Sequence, residues 1–210
     1  MKTSFKTLVA SALTAIVLST TVVTAFATEK VTAKEKVSRN QDIKRVVVNG
    51  NTKVFIVQSN RDWVAVGDDN LDKVSIKQIG NTLSINSSEA TPVVVTVYVK
   101  DLYRITAADH ASVNTIGTVN LPNLQVVMRD HAKARIKATT ESLYTNLEGE
   151  ANLELLGVTA SHTIKNTGIG NLKVEKLVAA KTENLPAGTR LAMIDSIYNA
   201  KRTNAESSKR

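Results

Sequence analysis

The chain has 210 residues, a mass of 22.7 kDa, a formal net charge of +8 and no cysteine. The lack of cysteine excludes a disulfide framework, a thiolate metal site, a cysteine nucleophile and the lipobox cysteine of a lipoprotein. Lys2 and Lys6 belong to the opening segment, and residues 199–210 hold four basic residues against Glu206, so the body between them carries only about +3. That charge is too small to predict binding to nucleic acid.

The opening segment has the layout of a secretory signal peptide. Lys2 and Lys6 precede an uncharged, largely apolar run that ends in Ala25-Phe26-Ala27, a small-x-small cleavage site. An uncleaved membrane anchor is the alternative, but the serine and threonines of residues 19–24 lower its hydrophobicity. We therefore expect a signal peptide over residues 1–27 and an exported protein with no membrane span after cleavage. Its location would be the periplasm, the outer surface or the medium.

The rest of the chain divides into a polar, flexible lead-in (28–41), one domain (42–198) and a disordered basic tail (199–210). From Ile43 onward, short apolar bursts alternate with polar residues at a period near two, which is typical of strands. Asn49-Gly50 predicts a tight turn or hairpin between the first two bursts. No helical stripe appears, so the sequence predicts an all-β domain whose early strands cover residues 43–48, 53–58, 63–66, 74–79, 83–85 and 93–99.

The second half of the chain repeats. The segment that begins at Asp109-His110 returns after 21 residues at Asp130-His131, after another 19 at Gly149-Glu150 and after 19 more at Gly168-Ile169, and fainter copies begin at Gly50 and Gly80. A fixed period of this size indicates units that bury their apolar faces by stacking, and about 20 residues suffice for one β-helix coil. Two ladders are then predicted, one of small residues at a corner (Ala111, Ala132, Ala151, Gly170) and one of inward apolar residues (Val113, Ala134, Leu153, Leu172).

Several segments, taken in order, resemble the GIN-domain family, which is catalogued as the head of auto-transporter adhesins. They are Val47 to Ile56, Leu71 to Val74, Gly80 to Ile85, Pro92 to Leu102 and the repeated turns that follow, and the likeness covers residues 42–198. The resemblance implies a single-chain right-handed β-helix, with coils of about 19–21 residues, in a cell-envelope or extracellular setting. It implies no cofactor and supplies no catalytic residues. The Asp-His pairs depart from the small pairs usual in the family.

Five residues in the repeated turns form the candidate binding site: Asp109, His110, Asp130, His131 and Glu150. If the stacking holds, His110, His131 and Glu150 lie on one ladder, a plausible set for a divalent metal. The two aspartates could instead act as the acid and base of a polysaccharide-active enzyme, but no aromatic platform is near and the third repeat has Gly149. Duplication of an ordinary turn explains the same pattern without any function.

We predict a non-enzymatic, adhesin-like module that binds a glycan or another surface component through repeated polar side chains at strand spacing. Two alternatives stay open: a polysaccharide-active β-helix enzyme, and a structural envelope module that assembles through its coil edges. Trp63, Tyr98 and Tyr103 could form a platform for a sugar or a protein, although single aromatic residues in strands more often fill core positions.

Overall fold

The computed structural model describes residues 42–188, so the predicted signal peptide, the lead-in, the end of the predicted domain and the basic tail lie outside it. Within that range there are twelve β-strands, one turn of 3₁₀ helix at Asp68–Asn70 and no α-helix. The predicted all-β class is confirmed. The strands are β1 (Arg45–Gly50), β2 (Thr52–Gln58), β3 (Trp63–Val66), β4 (Ser75–Ile79), β5 (Thr82–Ser87), β6 (Val93–Val99), β7 (Arg104–Ala107), β8 (Ser112–Ile116), β9 (Val119–Met128), β10 (Lys133–Leu147), β11 (Asn152–Asn166) and β12 (Leu172–Asn184).

All twelve strands belong to one curled sheet of mixed direction. The strand order is β3-β6-β2-β8-β10-β9-β7-β1-β5-β4, and β11 and β12 continue from β10. Only the pairs β3–β6 and β4–β5 are antiparallel; the other described pairs are parallel. Strand β10 is long enough to pair with β8 through its first residues and with β9 through the rest, so it joins the two halves of the sheet.

From β8 onward, successive repeats stack in parallel register as the sequence predicts. Ala134 pairs with Val113 on one side and with Leu153 on the other, and Leu153 pairs with Leu172. The predicted inward ladder is therefore present, and its first three members are buried. The fainter copy at Gly50 also joins this stack, because Val54 pairs with Val113.

The regular right-handed β-helix expected for the whole domain is not confirmed. Strands β1 and β2 are short and pair with strands far away in the chain: β1 lies between β5 and β7, and β2 lies between β6 and β8. The fainter copy at Gly80 lies outside this stack: Gly80 forms the turn of the antiparallel β4–β5 hairpin, where Ile79 pairs with Thr82, and β5 pairs in parallel with β1. A short Gly-Asn motif specifies a turn locally, whereas its place in a stack depends on distant strands.

The core is built almost entirely from valine, isoleucine, leucine and alanine. Along most strands these side chains alternate with outward ones, so that every second residue faces the interior. The predicted corner ladder is also present: Ala111, Ala132 and Ala151 are completely buried, and a Cβ atom on Gly170 would lie 1.8 Å from the Ala151 carbonyl oxygen. Small residues at this corner are therefore a steric requirement.

The two halves of β10 have different surroundings. Residues 133–139 alternate between exposed and buried, whereas residues 143–147 are buried without interruption. Thr140 lies between these halves and donates a hydrogen bond from its Oγ1 to the Oγ1 of Thr159 over 2.8 Å, which satisfies a buried hydroxyl by a partner on the next strand. The outer face of the sheet is thus open to solvent over the first half of β10.

Candidate functional site

The predicted site residues lie together in one column of turns at the start of β8, β10 and β11. Asp109 and Asp130 adopt left-handed backbone conformations, with φ of 57° and 54°, and Gly50 and Gly149 have φ of 69° and 68°. Aspartate is one of the few residues other than glycine that tolerate this region. The turn therefore requires Gly, Asn or Asp at this position, and this requirement accounts for the aspartates before any function is considered.

Each of the two aspartate carboxylates also holds the turn before it. The backbone N–H of Gly50 donates to Asp109 Oδ2 over 2.9 Å, and the backbone N–H of Asp109 donates to Asp130 Oδ2 over 3.2 Å. A charged acceptor of this kind makes a stronger hydrogen bond than a neutral one. Both carboxylates thus join successive repeats, a structural role that competes with catalysis for the same oxygens.

The side chains of His110, His131 and Glu150 stack in the predicted order on the exposed side of this column. The imidazole centroids of His110 and His131 are 5.3 Å apart at an interplanar angle of 49°, and His131 Nδ1 lies 3.2 Å from Glu150 Oε2. Continuous backbone hydrogen bonds carry the register through the turns, from His131 N to Asp109 O and from Glu150 N to Asp130 O. The geometry gives Glu150 a direct partner in His131.

Among residues 42–188, no group of three or more histidine, aspartate or glutamate side chains is arranged to hold a metal ion. The metal hypothesis for His110, His131 and Glu150 therefore gains no support from the geometry, although the three residues are neighbours. A site for acid–base chemistry would need a cleft around the carboxylates, and Asp109 and Asp130 lie exposed at a corner.

The third histidine, His162, has a different environment. It faces the interior from β11, is 1 % exposed and has its Nε2 atom 3.0 Å from the Oγ1 of Thr145. Burial lowers the pKa of its imidazole from 6.5 to about 4, because the charged form loses its hydration. His162 is therefore a neutral core residue at physiological pH.

A second surface, beside the turn column, carries an excess of basic over acidic side chains. It consists of the outward side chains of β2, β8 and the first halves of β10, β11 and β12, which we call the basic face. Each column crosses the strands: Lys53, Ser112, Lys133 and Asn152 form one, and Phe55, Asn114, Arg135, Glu154 and Lys173 form the next. The face holds six basic side chains against the acidic Glu154 and Glu175; they are Lys53, Lys133, Arg135, Lys137, Lys173 and Lys176.

A shallow depression of about 250 Å³ lies in the basic face. Its polar lining includes Ser112, Asn114, Lys133, Asn152 and Lys173. Hydroxyl, amide and ammonium groups, together with the carboxylate of Glu154, therefore converge there from four neighbouring strands.

An aromatic pair continues the same outer surface toward β3. Trp63 and Tyr98 are directly opposite each other in the β3–β6 ladder, and their rings stack at 3.9 Å with an interplanar angle of 7°. Tyr98 pairs in register with Val57 and Val57 with Ile116, so the pair begins a third column parallel to the two basic ones. Tyr103 lies elsewhere, against the guanidinium groups of Arg45 and Arg104.

The sequence predicted repeated polar side chains at strand spacing but not where the basic ones concentrate. The available signal was the alternation Lys133-x-Arg135-x-Lys137, which places three cations on one side of β10. The net charge of the body concealed this face because it averages over both surfaces of the sheet. The two identical Asp-His pairs instead predicted a site at the neighbouring corner.

Residues 42–190 match the model of a family described as "Putative auto-transporter adhesin, head GIN domain". The chain belongs to the GIN-domain family. No functionally curated protein matches it. Within residues 42–188, no helix has the length and apolar character needed to cross a membrane.

Solved structures share the fold of this GIN-domain chain at low sequence identity. One, titled "putative adhesin", from Parabacteroides distasonis, is 15% identical, has a TM-score of 0.54 and is similar over 73% of this chain and 76% of its own. Another from the same organism, titled "Putative lipid binding protein", is 13% identical, with a TM-score of 0.54 over 72% of this chain and 77% of its own. At these identities the likeness concerns the fold alone.

Proposed function

We propose that this GIN-domain chain is an exported, non-enzymatic, adhesin-like module that binds a surface glycan through its basic face. The observation that carries the proposal is the set of parallel columns across β2, β8, β10, β11 and β12, in which polar side chains repeat at strand spacing. Adjacent strands are about 4.8 Å apart, so a polymer lying across them meets an equivalent group at every step. Many weak contacts then add up to useful affinity.

Membership of an adhesin-type family and the signal-like opening segment both favour export. We also propose that the domain stacks as a right-handed β-helix. The in-register repeats from β8 to β12 support this proposal. Fractionation of the native cell, with N-terminal sequencing of the mature protein, tests export. A mature chain beginning at or next to Thr28 is expected, and a full-length chain confined to the cytoplasm would contradict the proposal.

The aromatic pair strengthens the case for a sugar ligand. Trp63 and Tyr98 are partly exposed on the outer surface of the sheet, next to the polar columns. Aromatic rings present apolar faces to the C–H groups of sugars, while neighbouring amides and hydroxyls bind sugar hydroxyls. The turn column of Asp109 and Asp130, by contrast, already uses its carboxylates within the fold.

A glycan array probed with the purified protein tests the function, and one variant locates the site. Asn152→Trp places a bulky side chain at the edge of the depression in the basic face and should abolish binding. Ser75→Trp is the matched control, because Ser75 is exposed on β4 at the far edge of the sheet. Binding to no glycan, or equal binding by both variants, would contradict the proposal. Release of shortened or unsaturated products would establish the enzyme alternative.

A second candidate function is self-assembly through β12. Strand β12 has 13 residues, pairs only with β11 among the described strands, and exposes 67 % of Val178. A long edge with exposed apolar residues is prone to pair with another strand. Sedimentation velocity over a range of concentrations should then show association that Val178→Lys removes. A monomer at all concentrations would exclude this role.

A further inference from the structure

We propose that the ligand of the basic face is a linear acidic polysaccharide, whose carboxylate, sulfate or phosphate groups contact the lysine and arginine columns. This inference rests on the proposed glycan-binding function. It adds the chemical class of the glycan and the direction in which the glycan chain lies on the sheet. The chain would run along the columns, across the strands of β2, β8, β10, β11 and β12.

The charge of the face is not neutralised within the protein. Among residues 42–188, Lys53, Lys133, Lys137 and Lys173 form no ion pair with an acidic side chain. Arg135 and Lys176 share the single carboxylate of Glu154, at 3.3 Å and 3.6 Å. The unpaired ammonium groups are therefore available to an anionic partner at no cost in broken ion pairs.

The positions of the cations define a repeat. In the first column Ser112 separates Lys53 from Lys133, and in the second Glu154 separates Arg135 from Lys173. Cations thus recur on every second strand, at about 9.5 Å. This arrangement avoids like charges directly opposite each other and suits a polymer whose anionic groups recur at the same distance.

The groups between the cations favour a polysaccharide over other polyanions. Ser112, Asn114 and Asn152 supply a hydroxyl and two amides, which match sugar hydroxyls as both donors and acceptors. A phospholipid surface needs only positive charge and apolar insertion. A nucleic acid would be expected to require a larger net charge than the body of this chain carries.

Binding of the purified protein to acidic polysaccharides (alginate, polygalacturonate) and to neutral dextran, measured by biolayer interferometry at low and high salt, tests the proposal. The triple variant Lys53→Gln/Lys133→Gln/Lys173→Gln removes cations from both columns. An exposed ion pair contributes about 1.4- to 5-fold in affinity, so the triple variant should bind acidic polysaccharide about twentyfold more weakly and lose most of the salt dependence. The matched control is Lys73→Gln/Lys77→Gln/Lys100→Gln, which removes the same charge from exposed positions outside the face.

The outcomes separate this inference from the proposed function. Equal affinity for dextran and for the acidic polymers would overturn the acidic class and leave glycan binding intact. Binding to no polysaccharide would overturn both. An equal loss in the control variant would show that overall charge, and not the basic face, decides binding. Binding to phosphatidylglycerol vesicles but to no polysaccharide, lost in the face variant, would assign the face to a lipid surface and overturn the inference.

Discussion

His162 should give this fold a measurable dependence on pH. Its imidazole is 1 % exposed, and burial lowers its pKa in the folded state from 6.5 to about 4. Between these two values the unfolded chain binds a proton at His162 and the folded chain does not. The free energy of unfolding must therefore fall as the pH is lowered through this window, and it loses no more through His162 below about pH 4.

The magnitude follows from the two pKa values. One pKa unit corresponds to about 1.4 kcal/mol, so a pKa of about 4 in place of 6.5 amounts to a loss of roughly 3 kcal/mol between neutral pH and pH 4. For a domain of ordinary stability, this is a substantial fraction of the whole. His162 Nε2 lies 3.0 Å from Thr145 Oγ1, a hydrogen bond that a neutral imidazole can make as donor or as acceptor.

The assay is urea unfolding of the wild-type protein and of His162→Gln at a series of pH values from neutral to 4. The glutamine variant keeps an amide that can reach Thr145 but cannot titrate, and every other titratable group is common to both proteins. The free energy of unfolding of the wild type, taken relative to that of His162→Gln, should fall by roughly 3 kcal/mol from neutral pH to pH 4. Ser75→Gln, at an exposed and non-titrating position on β4, is the control and should retain the wild-type slope. Parallel pH profiles for wild type and His162→Gln would refute the reasoning.

Two further predictions concern the turn column and are tested by chemical denaturation. Gly170→Ala should destabilise the fold by about 3 kcal/mol, because the new Cβ would lie 1.8 Å from the Ala151 carbonyl oxygen. Gly80→Ala is the control and should cost about 1 kcal/mol, because Gly80 has a φ of 59° but nothing within 4 Å of the new Cβ. Equal costs would show that the corner is not crowded. Asp130→Ala should cost about 1–2 kcal/mol by removing the acceptor for the Asp109 N–H, and Asp130→Asn should cost less because it keeps an acceptor and tolerates the left-handed backbone. Unchanged stability in Asp130→Ala, combined with loss of glycan binding, would instead assign the carboxylate to the ligand.

The sequence predicted the strands best where the apolar alternation is uninterrupted. The strands Trp63–Val66 and Val93–Val99 begin and end where the alternation does. Strand β7, by contrast, was not predicted, because Arg104–Ala107 offers only Ile105 and Ala107 as inward residues. Its pairing with β1 and β9 defines it, and such distant partners leave no local signal.

The long strands of the repeats show a second limit. Strands β10 and β11 each continue for 15 residues, although in β10 the polar run Thr139-Thr140-Glu141 interrupts the apolar residues. The polar stretch around Thr140 stays in the sheet because its hydroxyl bonds to Thr159 on the next strand. In the sequence of one strand, Thr140 resembles an interruption. In the stacked structure it is a buried residue that forms a hydrogen bond to the neighbouring strand.

The candidate site illustrates the difference between a conspicuous motif and an available surface. The order of His110, His131 and Glu150 followed from the repeat, and the structure reproduces it. Yet the aspartates of the same motif are explained by φ and by bonds to the preceding turns, which were hidden in the sequence. The local requirements of the turn therefore explain why aspartate recurs in both copies of the motif.

The basic face, in turn, shows why a net charge near +3 was misleading about surface chemistry. Six basic and two acidic side chains give the face a net charge of +4, which exceeds the +3 of the whole body, so the rest of the body carries about −1. The period of two along each strand sends every second residue to that side, and the parallel register then aligns the cations of successive repeats. A sheet can therefore build a strongly charged surface from a weakly charged chain, and it is this alignment, more than any single residue, that an anionic polymer would recognise.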